Sequence, residues 1–178
     1  MKSFLKKLKL IRHLQTELDI QKHEFIRRLK QIVDEGENGS LSETFDSFSS
    51  SKNEYKGYVD NRGFKIKRRR KLLDVNMNLA MAEGTYHQSG DKLIIKTEIN
   101  GFHGMMIPFY IIAILFYCIF IGIFLVVEDM EANMPLFFFP FILVHAIFML
   151  GAPYLIMRRS TVRLKHELER EFYFLTKK

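Results

Sequence analysis

The densest run of charge in the chain is Lys65-Ile66-Lys67-Arg68-Arg69-Arg70-Lys71. In an extended strand Lys65, Lys67, Arg69 and Lys71 share one face, while Phe64, Ile66, Arg68 and Arg70 share the other. Four cations on one face attract anionic groups. Beside a bilayer each basic residue is worth about 1 kcal/mol of headgroup attraction, or ~4 kcal/mol for the set. The same residues also suit a solvated edge strand whose charges deter aggregation. Nucleic acid is a poor match, because the run lacks the interleaved aromatic platform on which bases stack.

His145 is the other group placed for chemistry, since it lies in a stretch that otherwise carries no ionisable side chain. An intramembrane histidine is a functional candidate by default. Neither apolar stretch supplies an acidic partner for a proton relay. A neutral imidazole bonded to a backbone carbonyl, or to Tyr110 or Tyr117, is the simpler role. The remaining histidines (His13, His23, His87, His103 and His166) show no metal-ligand spacing. Cys118 sits among apolar residues and reads as a small hydrophobe. Gly84-Thr85-Tyr86 and Gly101-Phe102-His103-Gly104 lack the glycine spacing and lysine of a phosphate loop. No serine or cysteine nucleophile stands in a readable pattern with a base. The expectation is therefore no catalytic residue, no metal, no cofactor and no enzyme.

The elements that must position these residues fall into two compositional classes. Mean hydropathy is −0.03, but that average hides a segregation of apolar residues into 105–157 and of charges outside it. Residues 105–127 and 134–157 contain no Asp, Glu, Lys or Arg. At about 1.5 Å per residue the first makes a helix of ~35 Å, enough to cross a hydrocarbon core of ~30 Å with some tilt. Pro140 and the Gly151-Ala152-Pro153 step predict a bend in the second. Residues 128–133 form a short loop with three acids, so the spans are antiparallel neighbours.

Orientation follows from the basic residues. Of 27 Lys and Arg, residues 1–101 hold 20, residues 158–178 hold 7, and the loop holds none. Basic flanks stay in the cytoplasm, so both termini are expected inside and the acidic loop outside. Met1 to Leu14 interleaves Lys2, Lys6, Lys7, Lys9 and Arg12 with single apolar residues, which does not read as a signal peptide.

In residues 1–34, Phe4, Leu8, Ile11, Leu18, Phe25, Leu29 and Ile32 repeat at steps of four, three or seven. They predict one long amphipathic helix that packs on a sheet or membrane, or self-associates as a coiled coil. Residues 35–53, rich in Ser, Gly and acids, read as a flexible linker. Residues 54–101 read as an antiparallel meander. Its strands are Tyr55–Val59, Phe64–Lys71, a stretch from Val75 to Met81, and Lys92–Ile99, with turns at 60–63 and 88–91. The sheet is expected against the membrane surface, because few residues separate it from the first span. In 158–178, Leu164, Leu168, Phe172 and Leu175 form the stripe of a cytoplasmic amphipathic helix.

The order of YKGYVDNRGFKIKRRR, an Asn-containing strand, and AEGTYHQSGDKLIIKTEINGF leading into a hairpin resembles small uncharacterised bacterial membrane proteins. In those a strand-rich cytoplasmic piece, with a sheet compared to bacterial pleckstrin-homology-like domains, abuts two membrane helices. The likeness covers about residues 54–157 and the long N-terminal helix departs from it. It implies a fold and a membrane setting, and no activity.

These readings converge on an α+β membrane protein. A two-helix transmembrane hairpin would join a cytoplasmic antiparallel β-meander flanked by N- and C-terminal amphipathic helices. The expected role is that of a non-enzymatic, multi-pass protein of the bacterial inner membrane, whose basic cytoplasmic layer binds a protein partner or anionic lipid headgroups. The alternative is a small subunit of a transport or pore-forming assembly, in which the hairpin oligomerises or meets a membrane-protein partner through Ala113, Gly122, Ala146, Gly151 and Ala152.

Overall fold

A computed structural model describes residues 1–36, 53–69, 78–126 and 138–177. The chain divides into two compact units, residues 1–102 with 157–178, and residues 103–156.

The first unit departs from the single N-terminal helix that the heptad spacing predicts. Residues 1–36 hold four elements: α1 (Lys2–Lys7), β1 (Ile11–Leu18), α2 (Lys22–Ile32) and β2 (Val33–Glu35). Leu14 and Leu18 are four apart, a spacing that a helix face and a strand face share. Here they are on one side of a strand, with Arg12 and Thr16 in the same alternation. Helix α1 stops in a Schellman turn, in which Leu10 N–H reaches the Leu5 carbonyl and Lys9 N–H the Lys6 carbonyl, both at 3.0 Å. Lys9 takes the left-handed conformation at φ 58° that glycine usually fills. Leu5 and Leu10 are both buried at this turn. Helix α2 starts where Lys22 N–H donates to Gln88 Oε1 at 2.9 Å, so a distant side chain satisfies one of its open N–H groups.

The other strands are β3 (Tyr55–Val59), β4 (Gly63–Arg68), β5 (Met81–Ser89) and β6 (Lys92–Asn100). Asp60 closes the β3–β4 turn, accepting from the Arg62 and Gly63 N–H groups at 2.7 and 2.8 Å. Gly90, at φ 59°, makes the β5–β6 turn. The expected strand from Val75 to Met81 is corrected: Asn78 to Ala80 are not in a strand, and β5 begins only at Met81. Residues 70–77, 37–52 and the loop 128–133 lie outside the described residues. Sheet order is β1-β6-β5-β4-β3-β2, all antiparallel except β2 beside β3. Strand β4 is therefore interior, and the reading of the basic run as an edge strand is corrected.

One face of the sheet is covered. Phe25 and Leu29 of α2, and Leu164, Leu168, Phe172 and Leu175 near the chain's end, pack against Phe64, Ile66, Tyr86, Leu93 and Ile95 in one core. Phe172 meets Phe25 and Phe64 edge-on at 5.5 and 5.7 Å between ring centres, and Tyr86 lies 5.8 Å from both Phe25 and Phe64. Gly84 is required here: a Cβ would fall 2.3 Å from the Phe64 ring.

Helix α3 (Met106–Val126) and the first part of α4 (Phe138–Lys177) make the second unit. Both are long and apolar enough to cross a membrane, and no described side chain of α3, nor of α4 as far as Ile156, is buried. Helix α4 runs through Pro153 without a break and continues into the first unit from Met157. There, Ser160 Oγ accepts from Leu79 and Ala80 N–H, each at 2.9 Å.

A left-handed residue that carries a Cβ is strained by roughly 1 kcal/mol, and only part of that is offset by glycine's freedom in the unfolded chain. Lys9→Gly is thus expected to raise the unfolding midpoint of the first unit, followed by circular dichroism of the full chain in detergent; a lower midpoint would refute the strain. Phe172→Ala is expected to destabilise the same transition by about 3–5 kcal/mol.

Candidate functional site

Helix α2 and the end of α4 leave the second face of the sheet uncovered, α1 alone of the described helices reaches it through Lys2, and strand alternation fixes what it displays. Tyr58 on β3, Lys65 on β4, Glu83 on β5, Glu98 on β6 and His13 on β1 are cross-strand neighbours in one row. The next row runs Thr85, Lys96, Gln15. Glu83 and Glu98 are directly opposed, an arrangement that destabilises a sheet unless each acid is compensated. Lys65 pairs with Glu83 from one side. Lys2 of α1 pairs with Glu98 at 2.9 Å from the other. The rows floor an open cleft of about 970 Å³, whose rim includes Arg62 and Asp60.

The electrostatics follow from these partners. The hydrogen bond from Lys2, and then its charge, hold the Glu98 carboxyl below the usual carboxylate range, and the same bond raises Lys2. The Gly63 and Arg62 N–H groups hold Asp60 low. Desolvation pushes the Tyr86 phenol up on the covered face. The cleft thus carries fixed charges of both signs. It suits a surface that also bears both signs better than it suits a simple anion.

The basic run divides between several environments. Lys65 and Lys67 share the open face, as alternation requires, but Lys67 is buried. Arg68 points to the covered face and pairs with Glu167 of α4, which also accepts from Arg163 Nε at 2.8 Å. Arg69 lies past the end of β4, is buried, and stands 2.7 Å from Asp34. Lys71 lies outside the described residues. Of the four cations read as one lipid-facing set, Lys65 alone is both described and exposed.

His145 is in the second unit, where Nδ1 lies 2.7 Å from the Tyr117 hydroxyl. Its ring stacks on Phe141 at 6.2 Å. A second polar link joins the two helices, from the Tyr110 hydroxyl to the Leu150 carbonyl at 3.1 Å. These bonds tie α3 to α4, and the group they place at His145 is the Tyr117 phenol. Cys118 is exposed on α3. Among the described residues no three His, Cys, Asp or Glu side chains gather as a metal site would need.

Sequence reasoning did not find the row from Tyr58 to His13, because it depends on β1 pairing with β6 across more than eighty residues. The available signal was the alternation of Leu14, Thr16 and Leu18. No family model, curated protein or solved structure matches the chain.

Because the Glu98 pKa is depressed, its pairing with Lys2 stabilises the fold fully above the ordinary carboxylate value and is lost as pH falls through the depressed one. A carboxyl-carbon NMR titration should find Glu98 below the usual ~4.3 and returning toward it in Lys2→Met; an unmoved titration would remove Lys2 as the cause.

Proposed function

We propose that this chain is a membrane-anchored, non-enzymatic interaction protein, with the hairpin in the bilayer and the open sheet face offered to a protein partner in the cytoplasm. The observation that carries the membrane reading is that α3 and the first part of α4 bury none of their described apolar side chains. In water so much uncovered apolar surface would associate or aggregate. The basic flanks and the acidic loop support a bacterial inner-membrane setting with both termini inside.

A protein partner is favoured over anionic headgroups by the fate of the basic run. Arg68 and Arg69 answer acids of this chain, Lys67 is buried, and Lys65 faces Glu83. What the open face displays is Tyr58 beside charges of both signs, which suits a complementary polypeptide surface. A pore subunit finds less support, since His145 is engaged by Tyr117 and the spans offer little else to line water.

Three measurements test the reading. Full-length chain in native membranes should resist alkaline carbonate; release into the supernatant would overturn membrane insertion. With Cys118→Ser as background, Asn133→Cys should react with an impermeant maleimide from outside; labelling from the cytoplasm alone would reverse the orientation. A photo-crosslinking residue at Lys96 should yield protein adducts, whereas one at the exposed Arg170 should not. Adducts to lipid alone, with vesicle binding lost in Lys65→Gln, would replace the partner with headgroups.

A further inference from the structure

Strand β1 ends the sheet, and among the described residues nothing pairs with its outer edge. The bond from Gly101 N–H to the Leu10 carbonyl, 2.8 Å, fixes the direction of every backbone group along it. Leu10 and Gly101 form a hydrogen-bonded position, so Ile11 and Asn100 do not, and the pattern alternates from there. The N–H and C=O groups of Arg12, Leu14, Thr16 and Leu18 are directed at β6. Those of Ile11, His13, Gln15 and Glu17 are directed outward. The eight-residue edge is continuous in register and carries neither proline nor bulge, two devices that keep such edges from pairing.

We propose that this edge binds a second copy of the chain, β1 against β1, antiparallel about a two-fold axis, so that two six-stranded sheets become one. The sequence of β1 is self-complementary in one register. To keep the covered faces on the same side, the axis must pass through a residue and not between two. Centred on Gln15, the pairing uses residues 12–18, sets each His13 imidazole against the other copy's Glu17 carboxylate, and sets the two Gln15 amides against each other. On the covered face Leu14 meets Thr16, and Arg12 meets the apolar Leu18. The outward groups of His13, Gln15 and Glu17 then form about six main-chain hydrogen bonds. Centring on Leu14 would set Ile11 against Glu17, and centring on Thr16 would leave only residues 14–18 paired. Because His13 and Glu17 each occur once per copy in reciprocal places, the chemistry recognised is this same strand.

The test uses the full chain in mild detergent with Cys118→Ser as background. Gln15→Cys should become a disulfide-linked dimer under a mild oxidant, while Lys92→Cys, at the start of β6, should remain monomeric. Failure of Gln15→Cys to link, or equal linking of Lys92→Cys, overturns the proposal. Gln15→Pro removes an outward N–H and leaves the β1–β6 bonds intact. Light scattering should find its mass halved relative to the parent with an unchanged circular dichroism spectrum. A parent that is already monomeric, or a Gln15→Pro variant that remains dimeric, would also overturn it. If Gln15→Pro loses its fold, the cysteine pair decides alone.

Discussion

The first unit depends on a contact among four rings contributed by four elements. Phe25 comes from α2, Phe64 from β4, Tyr86 from β5 and Phe172 from α4. A sheet with one apolar face is stable only when that face is covered. Neither helix does this alone. Their rings interlock over the strands at edge-on angles, which aromatic pairs favour. The small residues Ala82 and Gly84 beneath them leave room for Phe64, so bulk on β4 is matched by its lack on β5.

Charge supports the same closure. Arg68 and Glu167 are each mostly buried, and Arg163 lies against the same carboxylate. An ion pair in such a place adds little over an apolar contact, yet removing one partner strands the other. The pair therefore selects which turn of α4 sits over β4. It also explains why a run of basic residues does not become one cationic face: a strand sends alternate residues to opposite environments, and this strand is interior to the sheet.

The parts legible in the sequence were those whose signal is local. The two apolar stretches, the turn at Asp60, the turn at Gly90 and the stripe Leu164, Leu168, Phe172, Leu175 each announce themselves within a few residues. The first 34 residues did not. Leu14 and Leu18 satisfy both a helical and an extended period, and α1 ends on Lys9 with no glycine to mark the stop. Strand β5 was obscured by its own packing, because the small side chains that admit Phe64 also erase its hydrophobic alternation. The open-face row was beyond reach for a different reason. Each of its members is an ordinary surface residue, and only the register of five strands brings Tyr58, Lys65, Glu83, Glu98 and His13 together.

The strand-rich unit is discontinuous along the chain, with residues 103–156 inserted between β6 and the part of α4 that covers the sheet. Translation order makes this consequential. When β6 leaves the ribosome, Phe64, Tyr86 and Ile95 have only α2 over them, and both apolar helices must still be synthesised before Leu164, Leu168 and Phe172 exist. The sheet's apolar side therefore stays half covered until both helices have been made. Maturation of the two units is coupled in time: a nascent chain stalled within the hairpin would carry an unfinished core, open to holding chaperones and to proteases.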